Sequence, residues 1–164
     1  MPIALDAIDR RILELIQADG RMQNVELARR VGLSPSPCLR RVKLLEEAGI
    51  IRGYVGVVDA AKVGVGLTLF VRVWLTGQDA ASINNFVAAV NGFPEVVECY
   101  LMAGECDALL RVLAEDLNDY YRFQADHLSQ IKEVQNVKTD VPMQTVKSTH
   151  AVPIRLKRKD WIAS

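Results

Sequence analysis

The sequence predicts an α+β chain in two parts, a helix-turn-helix unit followed by a ferredoxin-like βαββαβ unit. Three observations predict it. Three segments with helical apolar stripes crowd into residues 6–48, separated by Asp19-Gly20 and by Gly32-Leu33-Ser34. A strand–helix–strand pattern then runs twice in succession between residues 67 and 147, the order of the ferredoxin-like arrangement. Between the two lies 59–66 (DAAKVGVG), whose composition reads as a linker or hinge. The expected domains are therefore 1–58, a linker at 59–66, a second domain at 67–156, and a basic tail at 157–164.

Taken in order, residues 6–17 form the first helix. Asp6 is a good N-cap, and Asp9 sits in the first turn, where the helix dipole favours an acid. Ile8, Ile12, Leu15 and Ile16 make one apolar stripe. The second helix covers about 24–31, with Leu27, Ala28 and Val31 inward, and Gly32 ends it. In Ser34-Pro35-Ser36-Pro37 the prolines are tolerated only in a first helical turn, so Ser34 or Ser36 caps a third helix that runs to about Ala48. Two short helices joined by a tight turn, with a third in front, are a helix-turn-helix pattern. Residues 50–58 (IIRGYVGVV) are rich in β-branched side chains and predict one or two strands.

In the second domain, 67–75 predicts a strand and 79–90 a helix with Ile83, Phe86, Val87 and Val90 inward. Residues 96–103 and 106–114 predict the next two strands. A helix at 117–131 carries Leu117, Tyr121, Ala125 and Leu128 on one face, and 137–147 predicts the last long strand. Residues 151–156 can add a final strand before the tail.

The formal net charge is zero, but the charge is unevenly placed. Residues 1–58 carry nine Lys/Arg against seven Asp/Glu, residues 59–154 seven against twelve, and residues 155–164 four against one. Within 21–43 there are six basic residues and a single acid, Glu26. A local basic stripe on a near-neutral chain suits docking on phosphates. Cys38, Cys99 and Cys106 form no C-x-x-C pair, and His127 and His150 have no ligand-spaced partner, so no metal and no disulfide framework is expected. No stretch approaches the roughly 20 apolar residues of a membrane span. The opening MPIALDAIDRR lacks the pattern of a signal peptide, and a cytoplasmic location is expected. No nucleophile–base pair, paired carboxylates or phosphate loop stands out, so no enzyme and no cofactor is expected.

On the third helix Cys38, Val42 and Leu45 fall within about 60° of one another and form the buried stripe. Cys38 is thus a small core residue. Ser36, Arg40, Lys43 and Glu47 occupy the opposite face, and Arg41 flanks the buried stripe. The N-terminal part of such a helix enters the major groove. Arg40 first, and Arg41 after it, are the candidates to read guanine with a planar fork. Ser34, Ser36, Lys43 and the N–H groups at the helix start suit phosphate contact.

Four stretches, LDAIDRRILELIQADGR at 5–21, VELARRVGLSPSPCLRRVKLLEEAGIIRGY at 25–54, LMAGECDALLRV at 101–112, and the pattern from Val134 through Thr139 to Lys147, resemble the Lrp/AsnC family of regulators. The resemblance covers nearly the whole chain. It implies a winged helix-turn-helix, a C-terminal ligand-binding domain, dimers whose sheets pair and assemble into octamers or similar rings, and control by an amino acid. It also implies an effector pocket built from Gly104, Glu105, Cys106 and Asp107 together with Thr139, Asp140 and Val141. The chemistry is consistent: loop N–H groups opened by Gly104 can meet a carboxylate, and Asp107 can accept an ammonium. Asp107 itself is expected to be solvated, paired with a basic group, or used on the ligand. The chain departs from the family pattern at Gln23, Cys106, Ala108 and Pro142. Its expected partners are double-stranded DNA, an amino-acid effector and further copies of itself. An architectural DNA binder that needs no ligand is the alternative reading.

Overall fold

The computed structural model describes residues 5–154, which divide near Val57/Val58 into two compact units. The tail expected at 157–164 lies outside the described residues, as do the last two positions of the strand expected at 151–156.

The first unit holds three helices: α1 (Ala7–Ala18), α2 (Asn24–Val31) and α3 (Pro35–Glu47). A capping box starts α1: Asp6 accepts from the Asp9 N–H, and Asp9 accepts from the Asp6 N–H. Helix α2 begins without a side-chain cap because Gln23 makes no such bond. It stops at Gly32, whose φ of 72° is a left-handed conformation that favours glycine. Ile12, Leu13, Leu15, Leu27, Ala28, Cys38, Val42 and Leu45 form the core of this unit. Burying each of the larger aliphatic side chains stabilises it by roughly 1.5–3 kcal/mol.

The strands expected at 50–58 do not form. The run from Arg52 to Val58 has no ladder partner among the described residues, and Tyr54, Val55, Val57 and Val58 are exposed. Tyr54 is tied back instead, its hydroxyl donating to Glu46 at 2.8 Å; burial and that carboxylate push its pKa up to about 12. Residues 147–154 also belong to this unit. They make no strand; Val152 exchanges two hydrogen bonds with the Gln17 amide on α1, and Ile154 packs on the helical core.

The second unit opens with a 3-10 turn, Ala61–Val63, inside the expected linker. It continues as β1 (Leu67–Leu75), α4 (Ala80–Val90), β2 (Val96–Leu101), β3 (Ala108–Ala114), α5 (Leu117–Asp126), a 3-10 turn (Leu128–Gln130) and β4 (Val134–Asp140). The sheet is antiparallel in the order β2-β3-β1-β4. Leu69, Val71, Val73 and Leu75 alternate inward on β1, and the first three stand opposite Val112, Leu110 and Ala108 of β3, the period-two pattern of a strand with one buried face. Phe86 and Val90 of α4 and Tyr120 and Phe123 of α5 complete that core.

Two expectations fail here. Of the stripe expected on 117–131, Leu117, Tyr121 and Ala125 are exposed and Leu128 is buried, in the 3-10 turn that follows; α5 itself ends at Asp126 and buries Tyr120 and Phe123. The last strand ends at Asp140, ahead of Pro142, which cannot donate to a ladder.

Candidate functional site

The third helix starts at Pro35 with Ser34 as its N-cap, but the Ser34 hydroxyl makes no capping bond. Pro35 and Pro37 carry no N–H, and the Cys38 N–H is taken by the Ser34 carbonyl. In the first turn that leaves the Ser36 N–H to face a phosphate, fewer donors than a helix N-terminus usually offers. Asn24 braces the turn, its Nδ2 donating to the Pro35 carbonyl at 2.8 Å. Cys38 is fully buried, and burial pushes its thiol pKa up, away from reactivity.

Outward on α3, Arg40 and Lys43 are exposed and make no hydrogen bond or ion pair among the described residues. Arg41 differs. Its Nη1 donates to Asp6 Oδ2 at 2.6 Å and to Asp9 Oδ1 at 2.7 Å, so its charge is committed to α1. On α2, Glu26 accepts from both Arg29 and Arg30, and the two guanidiniums hold its pKa at about 2.

In the second unit the loop between β2 and β3 is pinned at several points. The Trp74 indole donates to the Glu105 carbonyl at 2.6 Å, and the Asp107 N–H donates to the Val73 carbonyl at 3.0 Å. The Asp107 carboxylate accepts from the Leu75 N–H at 2.7 Å and from Gln78 Nε2 at 2.8 Å. Its partners are thus amides, and among the described residues no basic side chain is paired with it. Beside this loop is a cavity of about 350 Å³ lined by Leu75, Gln78, Ile83, Leu101, Met102, Ala103, Gly104 and Asp107. A Cβ built at Gly104 meets nothing within 4 Å, and the residue has no positive φ. Neither the turn nor a close neighbour within the chain requires glycine there.

The remaining effector candidates lie elsewhere. Cys106 is buried, and the Glu105 side chain points to solvent, 3.9 Å from Arg72 Nη1. Thr139 faces the core, bonded to the Tyr120 hydroxyl. Asp140 is on the other face, held bidentately by Arg72 at 2.9 and 3.0 Å, and Val141 is exposed beyond the strand. None of residues 139–141 lines the Gly104 cavity. Arg72, Trp74 and Gln78 were not anticipated. One cue existed: Arg72 is the single charge in the apolar run LTLFVRVWL. Among the described residues no cluster of three or more His, Cys, Asp or Glu is placed to hold a metal, and no helix is long and apolar enough to cross a membrane.

Comparison with known families decides the classification. Residues 68–152 match the Lrp/AsnC ligand binding domain, and residues 5–52 match a winged helix-turn-helix DNA-binding domain. The chain belongs to the Lrp/AsnC family. A leucine-responsive regulatory protein of Rhizobium meliloti is 43% identical over 152 residues, 93% of this chain and 97% of the relative. The transcriptional regulator AzlB of Bacillus subtilis is 39% identical over 154 residues, 94% of this chain and 98% of that one. Among solved structures, a transcriptional regulator of Neisseria meningitidis in complex with L-methionine superposes with a TM-score of 0.87 at 40% identity, covering 91% of this chain and 96% of that chain. An AsnC family regulator from Agrobacterium tumefaciens gives 0.86 at 37% identity, covering 91% and 97%. This Lrp/AsnC protein therefore has the domain pair of a DNA-binding regulator, and the relatives named above are regulators.

Proposed function

We propose that this Lrp/AsnC protein is a sequence-specific transcription regulator, not an enzyme, whose DNA binding or assembly responds to an amino acid. The observation that carries the reading is the cavity beside Gly104. The missing side chain leaves it open, aliphatic residues line one part of it, and Asp107 and Gln78 supply polar groups. Each carboxylate oxygen of Asp107 has one partner among the described residues and can accept another bond, which suits an ammonium. Gly104, Glu105, Cys106 and Asp107 supply the loop side of the effector site. Thr139, Asp140 and Val141 reach an effector only from another copy, since within one chain they do not line this cavity. The methionine-bound Neisseria structure supports an amino acid as the class of ligand.

For DNA the reading assigns base contact to Arg40 and phosphate contact to Ser34, Ser36 and Lys43, in the cytoplasm where the DNA is. It also includes a homo-oligomer, at least a dimer and by family likeness an octamer. Phe70, Trp74, Leu109 and Leu113 stand half-buried on the sheet face away from α4 and α5, and a second copy is suited to cover them. A thermal melt with each of the twenty amino acids tests the ligand, because binding the native state raises the midpoint by mass action. A shift with one or a few of them is expected. One observation favours the architectural alternative: both carboxylate oxygens of Asp107 already hold a partner within the chain, so the loop is braced without an effector. Melts unmoved by every amino acid would establish that alternative.

A further inference from the structure

We infer that Arg41 is a positioning residue, not a DNA contact: it clamps the recognition helix to the first turn of α1 through both acids of the α1 capping box, and so sets how Arg40 and Lys43 are presented. The inference rests on the proposal that α3 reads DNA. The atoms are divided cleanly. Asp6 Oδ1 accepts from the Asp9 N–H at 2.8 Å, and Asp9 Oδ2 accepts from the Asp6 N–H at 3.2 Å. The other oxygen of each acid, Asp6 Oδ2 and Asp9 Oδ1, accepts from the same Arg41 nitrogen. One half of the pair satisfies α1, and the other half holds α3.

The location argues the same way. Arg41 precedes the buried Val42 and lies one helical turn before the buried Leu45, on the flank of α3 that meets α1. Arg40 and Lys43 project to the other side. The Asp9 side chain is only 14% exposed and that of Arg41 32%, so this pair is partly shielded from solvent and less screened by salt than a fully exposed one. The Arg41 guanidinium also separates two carboxylates that otherwise stand side by side. Turning Arg41 to a phosphate breaks two charged hydrogen bonds and leaves that acid pair unpaired. Cys38, Val42 and Leu45 pack α3 into the helical core, and apolar packing of that kind is non-directional. An ion pair at fixed geometry adds a directional restraint between the two helices.

The clamp and the contact readings predict opposite signs. Binding is measured by fluorescence anisotropy over a salt series, on a duplex selected by the protein from a random pool and on an unrelated duplex. The variants are Asp6→Asn/Asp9→Asn together and Arg41→Met, in the full chain. Asparagine still caps a helix, so α1 survives the double substitution. Removing two negative charges favours DNA binding on electrostatic grounds alone. The clamp nevertheless predicts that the double variant loses about tenfold in the ratio of selected to unrelated affinity, that Arg41→Met loses a similar factor with an unchanged salt slope, and that combining all three adds little. A direct phosphate contact predicts tighter binding by the double variant and a salt slope reduced by about one unit in Arg41→Met; either result overturns the inference. If Arg41→Met fails to fold, the sign of the change in the double variant decides alone.

Discussion

The sharpest perturbation of the sensor is Asp107→Asn. Asparagine keeps an oxygen for the Leu75 N–H, and its amide can meet the oxygen of a flipped Gln78 side chain, so the loop before β3 stays braced. What is lost is charge. Replacing its two charged hydrogen bonds by neutral ones costs about 1 kcal/mol each, together a fall of about 8–16 °C in the melting midpoint of a domain this size. An ammonium on that carboxylate is affected more. Losing a charged hydrogen bond costs about 1.5–3 kcal/mol, or about tenfold to hundredfold in affinity. The assay is calorimetric titration of wild type and variant with the amino acid that shifts the melt, beside DNA binding without ligand, which is expected to be unchanged. Equal affinities would refute the role of Asp107 on the ligand and leave it as a brace. A variant that no longer folds would refute the claim that asparagine can keep the brace.

On the reader, Arg40→Ala is expected to weaken the selected duplex by about 1–3 kcal/mol while sparing the fold, and Lys43→Ala to weaken all DNA alike and reduce the salt slope by about one unit; quantitative binding over a salt series checks both. Sedimentation and footprinting are expected to show at least a dimer protecting two half-sites about 34–36 Å apart or a multiple of that, whereas a monomer on one half-site would contradict it. Tyr120→Phe removes the bond to Thr139 and is expected to destabilise the sensor by about 1–3 kcal/mol, read from its melt, because the threonine hydroxyl loses its partner. The two arginines that lower the Glu26 pKa make their contribution fully present above pH 4.5 and lose it as the pH falls toward 2, so an NMR titration of its carboxyl carbon is expected to midpoint near 2.

Much of this was written locally in the chain. Gly32 is where α2 stops, Asp6 and Asp9 form the capping box their spacing suggests, and β1 spans the expected residues because LTLFVRVWL alternates its burial. The exceptions depend on distant partners. In LNDYYRFQAD two overlapping stripes are available, and only the sheet above decides that Tyr120 and Phe123, not Leu117 and Tyr121, go inward. Residues 50–58 have the composition of a strand, yet a strand needs a neighbour, and this chain supplies none among the described residues. The ties from Arg41 to Asp6 and from Gln17 to Val152 span 35 and 135 positions, beyond the reach of any periodicity. The loop at Gly104–Asp107 was legible as a Gly-x-x-Asp turn, but its anchors on Trp74, Leu75 and Gln78 were not, because they belong to the end of β1 and the residues after it, which meet the loop only in space.

The measurement closest to the central claim is a titration of the selected duplex with the full-length protein, with and without the amino acid that shifts its melt. The account predicts that the ligand changes the affinity for that duplex, or the number of protein chains bound to it. It also predicts that the change disappears in Asp107→Asn while ligand-free binding persists. DNA binding indifferent to all twenty amino acids, in affinity and in stoichiometry, would contradict it and leave an architectural DNA binder.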